Sequence, residues 1–242
     1  MIAEAPWRSA AKTDAGKVRS RNEDALLENS AQGLWAVADG MGGHRAGDVA
    51  SQLIVSSLAD LVFDGKFVRH LREIRQCLHW LNRRLGQELT VTADRKSSIM
   101  GSTVVTLLIE GNHGACVWAG DSRCYMLREQ RLYQLTRDHS LYEELIFEQQ
   151  MSAEQAQQHP SSHALTRAIG ASVQLNLEVL EFEVFPGDVF LLCSDGLYQY
   201  LDANALSRAL NMDSPEAAID RLFANVLQSA ARDNISAVVV RQ

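Results

Sequence analysis

One short apolar run that ends in a carboxylate and glycines constrains this chain more than any other stretch. Residues 34–38 have the length and bulk of a buried strand, and Asp39 follows them directly. A carboxylate at the end of a buried strand is costly unless a cation or a donor compensates it. Glycines at positions 40, 42 and 43 allow a sharp turn and leave carbonyls uncovered. Two interpretations fit: a hard cation held by Asp39 and the Gly40 carbonyl, or a strand-to-helix turn capped by Asp39.

The composition excludes several classes of protein. The chain has 242 residues, of which 46% are hydrophobic, so it can bury a large core. Its net charge of −7 argues against a nucleic-acid-binding surface. No apolar run approaches the length of a membrane span, and the N-terminus lacks the apolar segment of a secretion signal. The four cysteines form no CxxC pair, and we expect them to be reduced in a cytoplasmic protein.

The periodicity predicts paired helices and antiparallel strands. Two adjacent helices, over residues 47–64 and 67–85, each carry one apolar stripe. The β-branched segments that follow are joined by tight turns, as in an antiparallel meander. An irregular segment, 136–170, interrupts the strands as a lid or recognition loop would. Helices over 203–210 and 215–230 precede a last strand. We therefore predict one domain over residues 1–242, with two antiparallel sheets and helix pairs on their outer faces.

Three further acidic residues share the context of Asp39. Asp39, Asp121, Asp195 and Asp233 each lie at an end of a predicted strand, beside a glycine or an asparagine. Carboxylates about 4 Å apart repel by roughly 4 kcal/mol at an effective dielectric of 20, so a cluster of them would need cations. Ligands that are all oxygen select Mg²⁺ or Mn²⁺. Two such ions would generate a bridging hydroxide that suits phosphate-ester hydrolysis. The guanidinium of Arg19 would bind the phosphate oxygens through paired hydrogen bonds.

The same residues belong to motifs in a fixed order along the chain. These motifs are Gly16-x-Val18-Arg19-x-x-Asn22-Glu23-Asp24, Val37-Ala-Asp39-Gly40-Met-Gly-Gly-His44-x-x-Gly47, Gly101-Ser102-Thr103, Gly120-Asp121-Ser122-Arg123, Leu135-Thr-x-Asp138-His139-Ser140, Leu165-Thr-Arg-Ala-Ile-Gly170, Ser194-Asp195-Gly196-Leu197 and Asp233-Asn234-Ile-Ser236. Together they cover essentially the whole chain. The series resembles the metal-dependent Ser/Thr protein phosphatases, the PPM or type 2C family.

The resemblance implies a fold and a metal centre. The fold would be an α+β, α-β-β-α sandwich of two antiparallel sheets flanked by helix pairs. A binuclear Mn²⁺ or Mg²⁺ site would lie at one end of the sheets. By position, Asp39 would bridge both metals, and the Gly40 carbonyl would bind one of them. Asp195 and Asp233 would complete the shell of the other metal.

The resemblance also implies roles around that centre. Glu23 would hold a metal-bound water, and Asp121 resembles the acid that binds a third, weaker metal in bacterial members. Arg19 would clamp the substrate phosphate. Residues 136–170 would form the flap region, which shapes the choice of protein substrate.

The general acid is the point where the chain departs from many eukaryotic members. Met41 stands where those members carry a histidine, and a thioether cannot donate a proton. A metal-bound water is the preferred acid. His44 is interpreted as a helix N-terminal residue, and His139 as a residue that anchors the flap through a hydrogen bond, although either could approach the site.

The resemblance implies a phosphoserine and phosphothreonine protein phosphatase. We expect a cytoplasmic monomer, a catalytic domain alone, with a phosphoprotein substrate and no nucleic-acid or membrane partner. A bacterial Ser/Thr kinase would oppose it, and a forkhead-associated-domain protein of a type VI secretion system is a further expected partner. One alternative is an inactive relative that acts as a binding module, although the presence of Asp39, Asp195 and Asp233 argues against it. Another is a sporulation-type regulator phosphatase, which shares the motifs.

Overall fold

Two antiparallel β-sheets form the centre of the fold. The computed structural model describes residues 7–42, 46–89 and 100–242. Within them, sheet A runs in the order β1 (Arg8–Asp14), β11 (Ile235–Arg241), β10 (Val189–Cys193), β7 (Arg123–Arg128) and β8 (Arg131–Gln134). Sheet B runs in the order β2 (Asp24–Asn29), β3 (Leu34–Met41), β5 (Val104–Glu110), β6 (His113–Ala119) and β9 (Glu178–Glu183). The short β4 (Gly101–Ser102) pairs with the end of β3.

Helices cover the outer face of each sheet. Helices α1 (Ala46–Ala59) and α2 (Phe67–Arg83) pack on sheet B, and a π-helical turn, Arg84–Leu89, continues α2. Helices α6 (Ala203–Leu210) and α7 (Pro215–Leu227) pack on sheet A. Three shorter helices are α3 (Leu141–Phe147), α4 (Ala153–Gln157) and α5 (Asp195–Tyr198). The predicted α-β-β-α sandwich is confirmed. No helix in the described ranges has the length and apolarity needed to cross a membrane.

Alternation along the strands divides the core into three apolar layers. In β3, Ala36 faces helices α1 and α2, whereas Trp35 and Val37 face sheet A, because successive strand residues point to opposite faces. The layer between the sheets is built around Trp35 and Phe190, both fully buried. Trp35 Nε1 donates to Ser9 Oγ at 3.0 Å, which satisfies its polar group. Strands with two apolar faces thus join both sheets and both helix layers.

Several element boundaries differ from the sequence-based prediction. The strand expected to end near residue 185 ends with β9, because the Phe185 N–H donates to Asp188 Oδ2 at 2.8 Å in a turn. The helix expected over 215–230 ends with α7, and Ala231 beyond it has a positive φ of 41°. Helix α5 was not predicted. It begins at Asp195, only two residues after β10, so Asp195 lies in its first turn.

We predict that Trp35→Ala lowers the free energy of unfolding by about 3–5 kcal/mol, because it leaves a cavity between the two sheets. Urea denaturation measures this change. Trp80→Ala, at a ring that is 45% exposed on α2, is the matched control and should cost less than about 1 kcal/mol. Equal losses in both variants would show that Trp35 does not hold the sheets together.

Candidate active site

Strand ends from both sheets surround one cavity of about 310 Å³. Asp39 lies near the end of β3, Asp195 follows β10 and Asp233 precedes β11. Asp121 lies in the turn between β6 and β7. The seven residues that the sequence predicted for the site all line this cavity: Arg19, Glu23, Asp39, Gly40, Asp121, Asp195 and Asp233. The fold therefore brings together segments that are more than 200 residues apart.

Backbone contacts fix the direction in which Asp39 leaves β3. Its N–H donates to Thr103 Oγ1 at 3.1 Å, and its carbonyl accepts from the Thr103 N–H at 2.9 Å. Ser102 Oγ donates to the same carbonyl at 2.9 Å. A Cβ atom at Gly40 would lie 2.2 Å from the Gly47 carbonyl oxygen, so a side chain there would push α1 away from β3. Only glycine fits at this position.

Asn234 attaches the loop that carries Arg19 and Glu23 to the start of β11. Its Oδ1 accepts from the Glu23 N–H at 2.8 Å, and its Nδ2 donates to two carbonyl oxygens of the same loop. Arg19 Nη2 donates to Asp233 Oδ2 at 2.6 Å, and this contact raises the pKa of Arg19. Asn234 therefore places a guanidinium at the rim of the carboxylate cavity.

The carboxylates in the cavity raise one another's pKa. Burial raises the pKa of Asp39 well above its usual value, and the nearby carboxylates of Asp24, Asp195, Asp121 and Asp233 raise it further. Burial raises the pKa of Asp121 to about 7, with Asp195 adding to the rise. Burial also raises the pKa of Asp195, with Asp233 adding to it. Full ionisation of this cluster is costly, and bound cations would relieve that cost.

The donor set fits hard divalent cations, since it consists of carboxylate oxygens and the Gly40 carbonyl. In the structure the protein's own donors hold two of the carboxylates: Arg19 holds Asp233, and Gln199 Nε2 donates to Asp195 Oδ2 at 2.7 Å. Among the described residues, no group of three His, Cys, Asp or Glu side chains could hold a metal ion in this arrangement. Metal binding here requires the carboxylates to exchange these donors for the metal.

Asp24 is a buried carboxylate for which the sequence predicted no role of its own. It pairs with Asp39 in the ladder between β2 and β3, and its Oδ2 accepts from Ser194 Oγ at 2.9 Å. Its Oδ1 has no hydrogen-bond partner among the described residues. Burial raises the pKa of Asp24 to about 6, although hydrogen bonds from Ser236 and Ser194 oppose the rise. A bound water or cation beside Asp39 would satisfy this buried oxygen.

His139 anchors the flap, as the sequence predicted. Its N–H donates to the Gly120 carbonyl at 2.9 Å, and its Nδ1 accepts from the Gly120 N–H at 3.1 Å. Its Nε2 lies 3.2 Å from Glu178 Oε1, and its ring stacks on Trp118. Burial lowers the pKa of His139. The ring thus holds the corner before Asp121. The other predicted histidine, at position 44, lies outside the described residues.

The flap lines the cavity with residues that the sequence did not predict. His163 and Leu165 contribute from its second half, and Leu165 forms a β-bridge with Ser140 at the flap's root. A second cavity of about 280 Å³ shares His163, Asp121 and Asp195 with the first. His163 is exposed and follows two serines, and this sequence context does not indicate a site residue.

Residues 14–241 match the sequence model of the family described as protein phosphatase 2C. This chain belongs to that family. It is a family of metal-dependent hydrolases that act on phosphoproteins and use Mn²⁺ or Mg²⁺. The predicted family, enzyme class and cofactor class are confirmed.

Similar proteins and solved structures illustrate this membership. The structure titled PppA, a key regulatory component of T6SS in Pseudomonas aeruginosa, has a TM-score of 0.89 and 41% identity, and the match covers 98% of each chain. The Ser/Thr protein phosphatase PstP of Mycobacterium tuberculosis is 35% identical over 96% of this chain, which spans 44% of the length of PstP. A PstP catalytic-domain structure in complex with two manganese ions has a TM-score of 0.82, 31% identity and 97% coverage of each chain. The Ser/Thr phosphatase Stp of Listeria monocytogenes is 32% identical, over 96% of this chain and 94% of its own.

We predict that Asp121→Asn stabilises the metal-free protein at high pH. An aspartate whose pKa is raised from 3.8 to about 7 contributes its full stability below about pH 4, and this is lost as pH rises through 7. In EDTA at pH 8 the variant should therefore melt a few degrees above wild type, and the gap should narrow at pH 5. Asp213→Asn, at an exposed carboxylate, should show no gap at either pH. A gap of equal size at both pH values would contradict the raised pKa assigned to Asp121.

Proposed function

We propose that this protein hydrolyses phosphoserine and phosphothreonine in proteins by means of two Mn²⁺ or Mg²⁺ ions. Asp39 would bridge the ions with the Gly40 carbonyl on one, and Asp195 and Asp233 would bind the other. The observation that carries this proposal is the gathering of carboxylates from separate strand ends in one cavity, with Arg19 at its rim. When bound, the ions supply a nucleophilic water and neutralise charge on the phosphate.

The residues of the chain would position the substrate around those ions. Arg19 has five N–H donors, and its contact with Asp233 uses one of them, so donors remain for phosphate oxygens. Metal binding by Asp233 would release the guanidinium further. Glu23, held through its backbone by Asn234, would orient a water at the ions. Asp121, held by the corner at Gly120, would bind a third and weaker ion.

Met41 cannot supply the proton that the leaving oxygen needs. This thioether lines the cavity but cannot donate. We assign the proton to water in the site. The buried Asp24, which meets Asp39 across the β2–β3 ladder, would hold the water structure next to Asp39 in place.

The biological setting proposed here is the reversal of Ser/Thr kinase signalling in the bacterial cytoplasm, with this single domain acting as a monomer. The likeness to PppA supports a phosphoprotein of a type VI secretion system as the substrate. A kinase, a forkhead-associated-domain protein, or both would then be the partners. A sporulation-type regulator phosphatase would use the same chemistry on another phosphoprotein.

We expect Asp39→Asn and Asp233→Asn each to lower kcat for p-nitrophenyl phosphate on the order of 10³-fold, because each removes an anionic metal ligand. Both variants should keep the circular dichroism spectrum of wild type. Asp213→Asn is the matched control and should retain full activity. Unchanged turnover in either site variant removes the ligand assignment, and an inactive wild type in Mn²⁺ and in Mg²⁺ favours the binding-module alternative.

Arg19→Ala should raise KM for p-nitrophenyl phosphate about 10- to 100-fold, the loss expected for a hydrogen bond to a charged group. Its affinity for Mn²⁺ should not fall, since Arg19 contributes no metal ligand and instead competes with the metal for Asp233. Calorimetry with Mn²⁺ measures the second quantity. Equal losses of substrate and metal affinity would indicate that Arg19 holds the site's shape instead of the phosphate. Arg208→Ala, at an exposed arginine of α6, is the control.

A further inference from the structure

The outward face of α2 carries a stripe of cations in a chain whose net charge is −7. Arg72, Arg75 and Arg83 are all exposed, and they lie on one side of the helix at spacings of 3 and 8 residues. The opposite side of α2 is buried against sheet B through Leu71, Ile74, Leu78 and Leu81. The helix contains four arginines and one glutamate. This stripe is the most concentrated positive surface on α2, and we call it the α2 face.

In the described part of the chain, the cations of the α2 face have no anionic partner. Within residues 7–42, 46–89 and 100–242, Arg72, Arg75 and Arg83 form no ion pair and no side-chain hydrogen bond. Arg69, one turn before Arg72 on the same side of the helix, differs, because it pairs with Asp64 at 3.1 Å and with Glu73, the one glutamate of α2, at 2.9 Å. Among the residues in those three ranges, none neutralises the three guanidinium groups that the face presents to solvent.

The pKa of a nearby histidine also reflects the positive charge of the α2 face. Burial lowers the pKa of His79, and the charges of Arg75 and Arg83 lower it further. Trp80 lies beside them with 45% of its surface exposed, and the Arg84 guanidinium lies 5.1 Å from the centre of its ring. Exposed tryptophan and arginine together are the residues most enriched at binding hot spots. The face thus combines charge with an apolar contact.

The C-terminal end of α2 is tied to the rim of the active-site cavity. Asn82 Oδ1 accepts from the Gly170 N–H at 2.7 Å, and its Nδ2 donates to the Ser172 carbonyl at 2.9 Å. Ile169, next to Gly170, exchanges two backbone hydrogen bonds with Ser102, whose hydroxyl contacts the Asp39 carbonyl. The α2 face therefore ends at the same end of the molecule as the cavity.

We infer that the α2 face docks an acidic segment of the phosphoprotein substrate while the phosphorylated residue occupies the cavity. This inference rests on the proposed phosphatase function. The chain as a whole carries an excess of acids, so three arginines exposed together on one helix offer an acidic polypeptide a local site of attraction. Arginine forks bind carboxylates in pairs of parallel hydrogen bonds, so three of them suit a run of glutamates or aspartates.

The first test measures binding alone, by fluorescence anisotropy of a labelled twelve-residue peptide of Glu and Asp at 50 mM salt. We expect R72E/R75E/R83E to bind it at least tenfold more weakly than wild type. The control R131E/R208E/R221E reverses the same number of exposed charges on other elements and should lose less than threefold. No binding by wild type, equal losses in both variants, or equally tight binding of a single-stranded oligonucleotide would overturn the inference.

The second test uses two substrates with wild type, the α2 variant and the control. For a phosphothreonine peptide that carries the acidic run, the α2 variant should raise KM about tenfold with kcat unchanged. For p-nitrophenyl phosphate it should change neither constant. An equal effect on both substrates would overturn the docking role. If wild type binds the acidic peptide but hydrolyses neither substrate, the proposed phosphatase function fails while the docking surface stands.

Discussion

Repulsion between buried carboxylates is the constraint on which the site depends. Asp39, Asp195, Asp121 and Asp24 would each ionise readily in water, but burial and mutual repulsion raise the pKa of every one of them. A chain gains nothing in stability from such a cluster. In the proposed function, the ions of a metal-dependent hydrolase would supply the missing positive charge, and the fold would hold the carboxylates together to receive them.

The sandwich performs this task through the apolar strands that lead to the acids. β3, β10 and β11 are buried along nearly their whole length, and each has Asp39, Asp195 or Asp233 at or just beyond one end. Trp35 and Phe190 join the two sheets behind the site, so the sheets cannot separate under the repulsion. The loop with Arg19 and the corner at Gly120 are then attached by hydrogen bonds, among them those of the Asn234 and His139 side chains. Buried strands therefore position Asp39, Asp195 and Asp233, and hydrogen-bonded loops position Arg19, Glu23 and Asp121.

Whether a site residue could be predicted depended on the pattern that the sequence shows at its position. Asp39 and Gly40 were predictable, because an apolar run followed by a carboxylate and glycine is visible in the chain itself. Asp24 was not, because its burial follows from the pairing of β2 with β3, which a single sequence does not contain. The contact between Arg19 and Asp233 joins residues 214 apart, so spacing could not reveal it. His163 and α5 were missed since neither has a periodic pattern.

The measurement that tests the account most directly is Mn²⁺ binding by calorimetry to metal-stripped protein, with the melting temperature followed in the same titration. We predict that two ions bind per chain near neutral pH and that the melting temperature rises as they bind, because they neutralise the cluster. Asp39→Asn should bind fewer ions and gain less stability. A wild-type protein that binds no Mn²⁺ or Mg²⁺, or whose stability does not respond to them, would contradict the claim that the carboxylates exist to hold metal.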